Sequence, residues 1–200
     1  MLSITTVFGV TAAVLHGTGY VLYNIQTKRR DSEPNITTWM IGAFLAGLNA
    51  FSYRAMNHDT VMALQFFVGT VGSILTFFIT LFTGRFSWPE IRAWWCAALA
   101  FIALLVWWYL RNATGANFIV LFAVLVSFQP MLEGVLKDPH KETPRSWVIW
   151  TVAYYISTIN VALFSDNHWA FVSPLVLLFV HGSIAVLSRS ARKALFPRPE

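Results

Sequence analysis

Charge is the first thing this chain lacks. Asp, Glu, Lys and Arg make up 12% of its 200 residues, about half the share of an ordinary soluble domain. Cysteine is next: the single Cys96 lies inside an apolar run, so no disulfide framework and no cysteine-based zinc site can form. Metal-ligand spacings, phosphate-cradling glycine loops and nucleophile elbows are all missing. An enzyme is therefore not expected, nor are catalytic residues, a metal or a cofactor. A basic segment ahead of the first apolar run is also missing, and that run is too long for a signal-peptide core. Residues 167–188 contain no lysine, which excludes a retinal Schiff base in a last helix.

What is present is apolar surface. Hydrophobic residues make up 56% of the chain and mean hydropathy is +0.59. Seven uncharged runs follow one another, at about 3–27, 35–53, 60–84, 93–110, 112–132, 146–165 and 167–188. Each approaches the ~20 residues that an α-helix needs to cross the hydrocarbon layer. The middle run, AWWCAALAFIALLVWWYL, carries Trp94 and Trp95 at one end and Trp107 and Trp108 at the other, as aromatic belts at two interfaces do. The seven runs use most of the chain, which reads as one membrane domain over 1–200. A multi-pass protein of a bacterial inner or plasma membrane is expected, with the lipid bilayer as its main partner.

The formal charge of +5 is explained by position rather than by nucleic acid. With the N-terminus outside, Lys28, Arg29, Arg30, Arg85, Arg92, Lys137, Lys141, Arg145, Arg189, Arg192, Lys193 and Arg198 are cytoplasmic. Arg54 and Arg111 alone are external. That split follows the positive-inside rule and puts the C-terminus in the cytoplasm.

The runs on either side of 93–110 resemble each other at a spacing of about 110 residues. FIVLFAVL (118–125) matches FGVTAAVL (8–15). Pro144 stands where Pro34 stood, Asn167-His168 matches Asn57-His58, and Gly182-Ser183-Ile184 matches Gly72-Ser73-Ile74. With one residue of slippage, Trp150 pairs with Trp39 and Asn160 with Asn49. A single helix between two three-helix sets makes the second set enter the membrane in the same direction as the first, a parallel repeat. The expected organisation is a first repeat over 3–84, a linker helix over 93–110, a second repeat over 112–190 and a tail over 191–200.

Polar residues inside the runs are the candidates for function, because they are costly there. His16 and His181 are the ionisable side chains placed deepest, and imidazole titrates near neutral pH. Two neutral, hydrogen-bonded rings are the structural alternative to proton coupling. Asn49, Gln65 and Asn160 serve as interhelical contacts or as pathway residues. Glu133 near the end of the fifth run is a further proton carrier if buried. Gly17 and Gly19 allow close packing or a bend, and Pro130 must disturb its helix. Asn57 and Asn167 are expected to cap the helices that follow them. Trp39 and Trp150 are expected as interface anchors, with an inner aromatic layer as the alternative, and Gly42, Ala43, Ala46, Gly47 and Ala50 as a narrow packing face.

The segments GYVLYNIQTKRRDSEPNITTW (19–39) and QPMLEGVLKDPHKETPRSWVIW (129–150) both run helix end, basic loop, proline, polar pair, tryptophan. In this, and in its three-plus-one-plus-three layout, the chain resembles the PQ-loop superfamily that includes the sugar-exporting SWEET proteins. The resemblance implies two three-helix bundles rocking about a central pathway, with the first helix of each bundle hinging at a proline. Pro130 matches that role; the first repeat has Tyr20 there, behind Gly17 and Gly19. The order Pro-Gln is absent, replaced by Gln129-Pro130. Sugar-carrying relatives place an asparagine on the third helix of each bundle, where this chain offers Gln65 and His181. The expected function is a facilitated or proton-coupled carrier of a small polar solute, its pathway lined by His16, Tyr20, Asn49, Gln65, Gln129, Asn160 and His181. Proton coupling would fall to Glu133, His16 or His181. The alternative is a receptor or sensor on the same fold; a peptide-end receptor would need a basic pocket, and no Lys or Arg lies deep in any run. Association into a homo-oligomer is left open.

Overall fold

A computed structural model describes residues 3–32, 34, 36–83 and 91–195. Among them are seven α-helices and one short 3-10 turn: α1 (Ile4–Lys28), α2 (Ile36–Asn57), α3 (Thr60–Thr83), α4 (Ile91–Trp108), α5 (Ala113–Lys137), the turn Pro139–Lys141, α6 (Pro144–Phe164) and α7 (Val172–Leu195). Arg85, Arg92, Arg192, Lys193 and Arg198 of the expected basic set fall outside the residues whose side chains are described.

Local chemistry sets the helix ends. The Ser3 hydroxyl accepts from the backbone N–H of Thr6 at 3.2 Å, and the Asn112 amide oxygen from Gly115 at 2.8 Å. Pro144 opens α6, where a missing N–H costs nothing. The expected cap of α3 is corrected: Asp59 does this work, accepting from Val61 at 2.7 Å and Met62 at 3.0 Å. Asn57 is the last residue of α2 and bonds to Ser165 instead. The last helix starts five residues later than the uncharged run. The Ser165 hydroxyl accepts from Asn167 N–H at 3.1 Å, and the Asn167 side chain accepts from Trp169 N–H at 3.0 Å. Such short polar side chains compete with helical hydrogen bonding and hold 165–171 in turns.

Among the described residues five helices are long and apolar enough to cross a membrane: α1, α3, α5, α6 and the stretch Val172–Arg189 of α7. α2 carries Asn49, Ser52 and Arg54, and the apolar part of α4 is shorter, Trp94–Trp108. Polarity is inverted relative to a soluble protein. Val7, Val14, Val21, Val71, Leu75, Phe78, Phe101 and Phe179 are exposed, while His16, Asn49, Gln65, Asn117, Asn160 and Ser173 are buried. An exposed apolar belt of this extent marks a lipid-facing surface, and buried polar groups must pair with one another because hydrocarbon offers no partner.

α3 packs against both α1 and α2, and α7 against both α6 and α5. The two sets meet through α1 on α6 and α2 on α5. α4 lies against α5 and, less extensively, α2. Among its described side chains it buries Cys96, Ala100 and Ala103, small residues at helical spacing that permit close approach. Gly69, Gly72 and Ser73 of α3 are buried and meet His16 and Tyr20 of α1. The expected narrow face of α2 divides differently. Ala50 is buried in the core, Gly47 touches Thr70, and Gly42 and Ala46 border open space.

Candidate functional site

A cavity of about 100 Å³ lies between α1, α2, α3, α5, α6 and α7. Helical spacing builds its wall, since residues three and four apart share a face. α1 contributes His16 and Tyr20; α2 contributes Trp39, Gly42, Ala46 and Asn49; α3 contributes Phe66, Gly69 and Ser73. From the other set come Val124, Phe128 and Met131 of α5, Trp147, Trp150 and Tyr154 of α6, and Leu177 and His181 of α7. The wall is aromatic, with a few polar atoms at fixed points.

The two imidazoles flank Tyr154, whose ring centre is 4.9 Å from that of His16 and 4.8 Å from that of His181. His181 Nδ1 lies 2.8 Å from the Leu177 carbonyl. A carbonyl only accepts, so Nδ1 carries the hydrogen, and the neutral ring offers Nε2 as an acceptor. His16 Nδ1 lies 3.3 Å from the Gln65 amide nitrogen. That nitrogen donates, which places the His16 hydrogen on Nε2, beside Gly69. A Cβ at Gly69 would stand 2.9 Å from this atom, so α3 needs a glycine there. The hydroxyls of Tyr20 and Ser73 bond at 2.7 Å. Trp150 Nε1 donates to the His16 carbonyl at 3.1 Å, and its ring lies so close to Gly19 that a Cβ there would collide with it.

Polar contacts tie the two sets of helices together on either side of the cavity. At the basic end, where the α1–α2 and α5–α6 connections lie, Tyr23 packs among Trp39, Trp147 and Trp150. Beyond these rings the Ser146 hydroxyl donates to the Gln26 side chain at 2.7 Å and Thr143 to the Asp31 carbonyl at 2.8 Å. The buried Glu142 carboxylate accepts from the Tyr23 hydroxyl at 3.2 Å and from Trp147 Nε1 at 3.1 Å. Burial pushes its pKa up to about 7, although the Trp147 and Tyr23 hydrogen bonds pull the other way. At the opposite end the Asn117 amide donates to Asn49 Oδ1 and to the Ser52 hydroxyl, both at 3.0 Å, and accepts from Ser173 at 2.6 Å. Asn160 donates to the Thr5 carbonyl at 3.3 Å, Ser165 to Asn57 at 2.7 Å, and Asn167 to the Met56 carbonyl at 2.9 Å.

Of the residues expected to line a pathway, His16, Tyr20, Asn49 and His181 meet at the cavity. Gln65 stands behind His16 as its hydrogen-bond partner. Asn160 is buried in the seam between α6 and α1 rather than in the cavity wall. Gln129 is corrected: it is exposed and donates to Glu133, one turn on, at 3.1 Å. Its neighbour Phe128 faces inward, and one helical step turns residue 129 away. Glu133 is half-buried on that same side. α1 runs unbroken through Gly17 and Gly19, and α5 through Pro130. A Cβ at Gly17 would stand 3.4 Å from Val68, and one at Gly19 would run into Trp150, so both glycines face a neighbouring helix in this conformation.

Trp39 and Trp150 are corrected as well: they are 9% and 1% exposed, interior rings instead of interface anchors. Trp147, Tyr154, Asn117 and Glu142 escaped the reading of the sequence. The first two carried a signal, because Trp147, Trp150 and Tyr154 repeat at three and four residues. Glu142 sits in the charged segment KDPHKETPR and Asn117 in the polar N-terminal part of α5, where nothing in the local sequence distinguishes a buried side chain from a solvated one. Among the described residues no group of three or more His, Cys, Asp or Glu gathers as a metal site. Comparison of the chain with protein-family models, with curated proteins and with solved structures returned no match.

Proposed function

We propose that this protein is an alternating-access carrier of a small polar solute on a PQ-loop-like fold. In this reading all seven helices span the membrane, with the N-terminus outside and the basic end in the cytoplasm. α1–α3 and α5–α7 form two parallel repeats joined by α4. The packing supports the repeat. Exchange of α1, α2 and α3 for α5, α6 and α7 carries every helix contact within one set onto a contact in the other, and carries α1 on α6 onto α5 on α2.

The observation that carries the proposal is the cavity: both sets wall it, and a separate layer of polar contacts between the sets lies toward each of its two ends. Such a site can be opened to one side at a time by breaking one layer and keeping the other. The aromatic wall would bind the body of the solute and the His181 Nε2 acceptor would orient it, the usual division of labour in small-molecule sites.

The test is thermal stability of the purified protein against sugars, amino acids and nucleosides at two pH values, followed by flux of any hit in liposomes. A solute that binds only the folded state raises the melting point, by about 2.7 kcal/mol of stability at a hundredfold excess over its Kd. His181→Ala should then weaken that solute about tenfold, the loss of roughly 1.4 kcal/mol expected for one buried hydrogen bond. Solute response with no flux would move the reading to a receptor. Pro130→Ala should slow flux more than it weakens binding, because a residue that eases movement of α5 acts on the transition between states. Equal loss of both would remove Pro130 as a hinge.

A further inference from the structure

At the basic end one buried carboxyl group stands outside the cavity wall. Glu142 is 5% exposed and lies between the connection that leads into α6 and the end of α1. Its two oxygens accept from different helices, one from Tyr23 of α1 and the other from Trp147 of α6. On either side of it, Thr143 bonds Asp31 and Ser146 bonds Gln26. These four hydrogen bonds lie in one seam, and three of them tie α1 or its following residues to a segment more than 110 residues away. Separation of α1 from α6 at this end must break these three together, while the Trp147 bond to Glu142 stays within one segment, and must admit water to Glu142.

We propose that Glu142 is the proton-binding site of this carrier: a proton on its carboxyl group holds the seam between α1 and the α5–α6 connection closed, and loss of that proton opens it. The inference deepens the transport reading and rests on it for its use in a cycle, while proton binding and seam opening are each measurable without a solute.

The surroundings of Glu142 make the proton matter. Its donors from α1 and α6, Tyr23 and Trp147, are neutral groups, so they soften but do not cancel the cost of a buried negative charge. The charged side chains on the elements around it point to solvent. Lys28, Arg29, Arg30 and Asp31 at the end of α1 are exposed, as are Lys137 and Asp138 at the end of α5. His140 and Lys141 of the 3-10 turn, Arg145 of α6 and Arg189 of α7 are exposed too. The buried titratable group of α7 on this side is His181, which stands across the Trp147 ring at 5.4 Å between centres.

The direction follows from linkage. In the closed seam burial raises the carboxyl from its ordinary 4.5 to about 7, and in an open, wetted seam it returns toward the ordinary value. The closed form therefore holds the proton more tightly. Its advantage is full below the ordinary value and falls by up to tenfold per pH unit between the two, until it is lost above about 7.

Two measurements test this on the full-length protein in detergent or nanodiscs. Infrared difference spectra should show the carbonyl stretch of a buried neutral carboxylic acid that disappears as pH rises through about 7. It should be absent in Glu142→Gln. Tyr23→Phe and Trp147→Phe should each move the midpoint up, because both hydrogen bonds favour the charged form; a merely structural role predicts no such shift. Spin labels on Arg29→Cys and Arg145→Cys, in a Cys96→Ala background, should report a distance that lengthens across the same pH range. In Glu142→Gln it should stay short at every pH. The idea is overturned if the wild-type band titrates in the ordinary carboxylate range, a result that needs no variant to fold. It is equally overturned if the label distance ignores pH, or if its pH response survives Glu142→Gln. Solute flux that is independent of Glu142 would leave the carrier reading standing while this inference fails.

Discussion

Asn117→Leu should lower the unfolding free energy by about 3 kcal/mol, a loss out of scale with a side chain of nearly unchanged volume. Asn117 is fully buried and touches α2 through Asn49 and Ser52 and α7 through Ser173. Hydrogen bonds between membrane helices are individually modest, about 0.6 kcal/mol on average, so three of them account for about 2 kcal/mol. The remainder comes from what leucine leaves behind, the Asn49 oxygen and the Ser173 hydroxyl stranded without a donor or acceptor; an orphaned buried group costs roughly 1–3 kcal/mol. This asymmetry gives a second expectation for the same network: Asn49→Leu made together with Asn117→Leu should cost less than the sum of the two. Chemical unfolding in detergent measures all three variants. A change below about 0.5 kcal/mol for Asn117→Leu, the size of an ordinary surface substitution, would mean that the network does not hold α2 to α7.

Gly19→Ala should cost about 2 kcal/mol and abolish any solute response, while Gly17→Ala, two residues away on the same helix, should stabilise. Alanine in place of glycine favours a helix by about 0.8–1 kcal/mol at either position. At Gly17 the new methyl meets Val68 at 3.4 Å, a contact that a small shift accommodates, and the helical gain survives. At Gly19 it runs into the Trp150 indole. Overpacking of a core costs roughly 1–3 kcal/mol, and displacement of the ring also breaks its hydrogen bond to the His16 carbonyl, worth about 1 kcal/mol. These two losses outweigh the helical gain. Trp150 packs edge-on or tilted against Tyr20, Tyr23 and Trp147, so its movement also deforms the cavity wall. Thermal unfolding of the two variants side by side decides the matter. Two equal and positive shifts would show that the ring yields freely.

Much of the helical organisation was legible in the charge pattern. Each of the seven uncharged runs corresponds to a helix, because a long apolar segment satisfies its backbone hydrogen bonds internally as a helix. Burial of His16, Asn49, Gln65, Asn160 and His181 was legible for the same reason: a polar group in such a helix turns away from lipid. Failures came where a side chain's direction depends on a single residue step, as at Gln129, or where a residue type has two homes. Tryptophan suits both the membrane interface and an aromatic interior, and the contacts with Tyr23 and the neighbouring indoles put Trp39 and Trp150 in the second.

From the sequence alone came the number of helices, their approximate bounds and the polar residues that must find partners inside the bundle, since these follow from local charge and from the solvent properties of a bilayer. The partners themselves were decided by tertiary structure. Glu142 and Tyr23 are 119 residues apart, and Asn117 and Asn49 are 68 apart. No local pattern marks either pair, and both Glu142 and Asn117 stand in stretches whose composition suits water. Whether a carboxyl group in a basic loop is solvated or sealed beneath two helices depends on how α1 and α6 meet, and that contact exists only once the chain has folded.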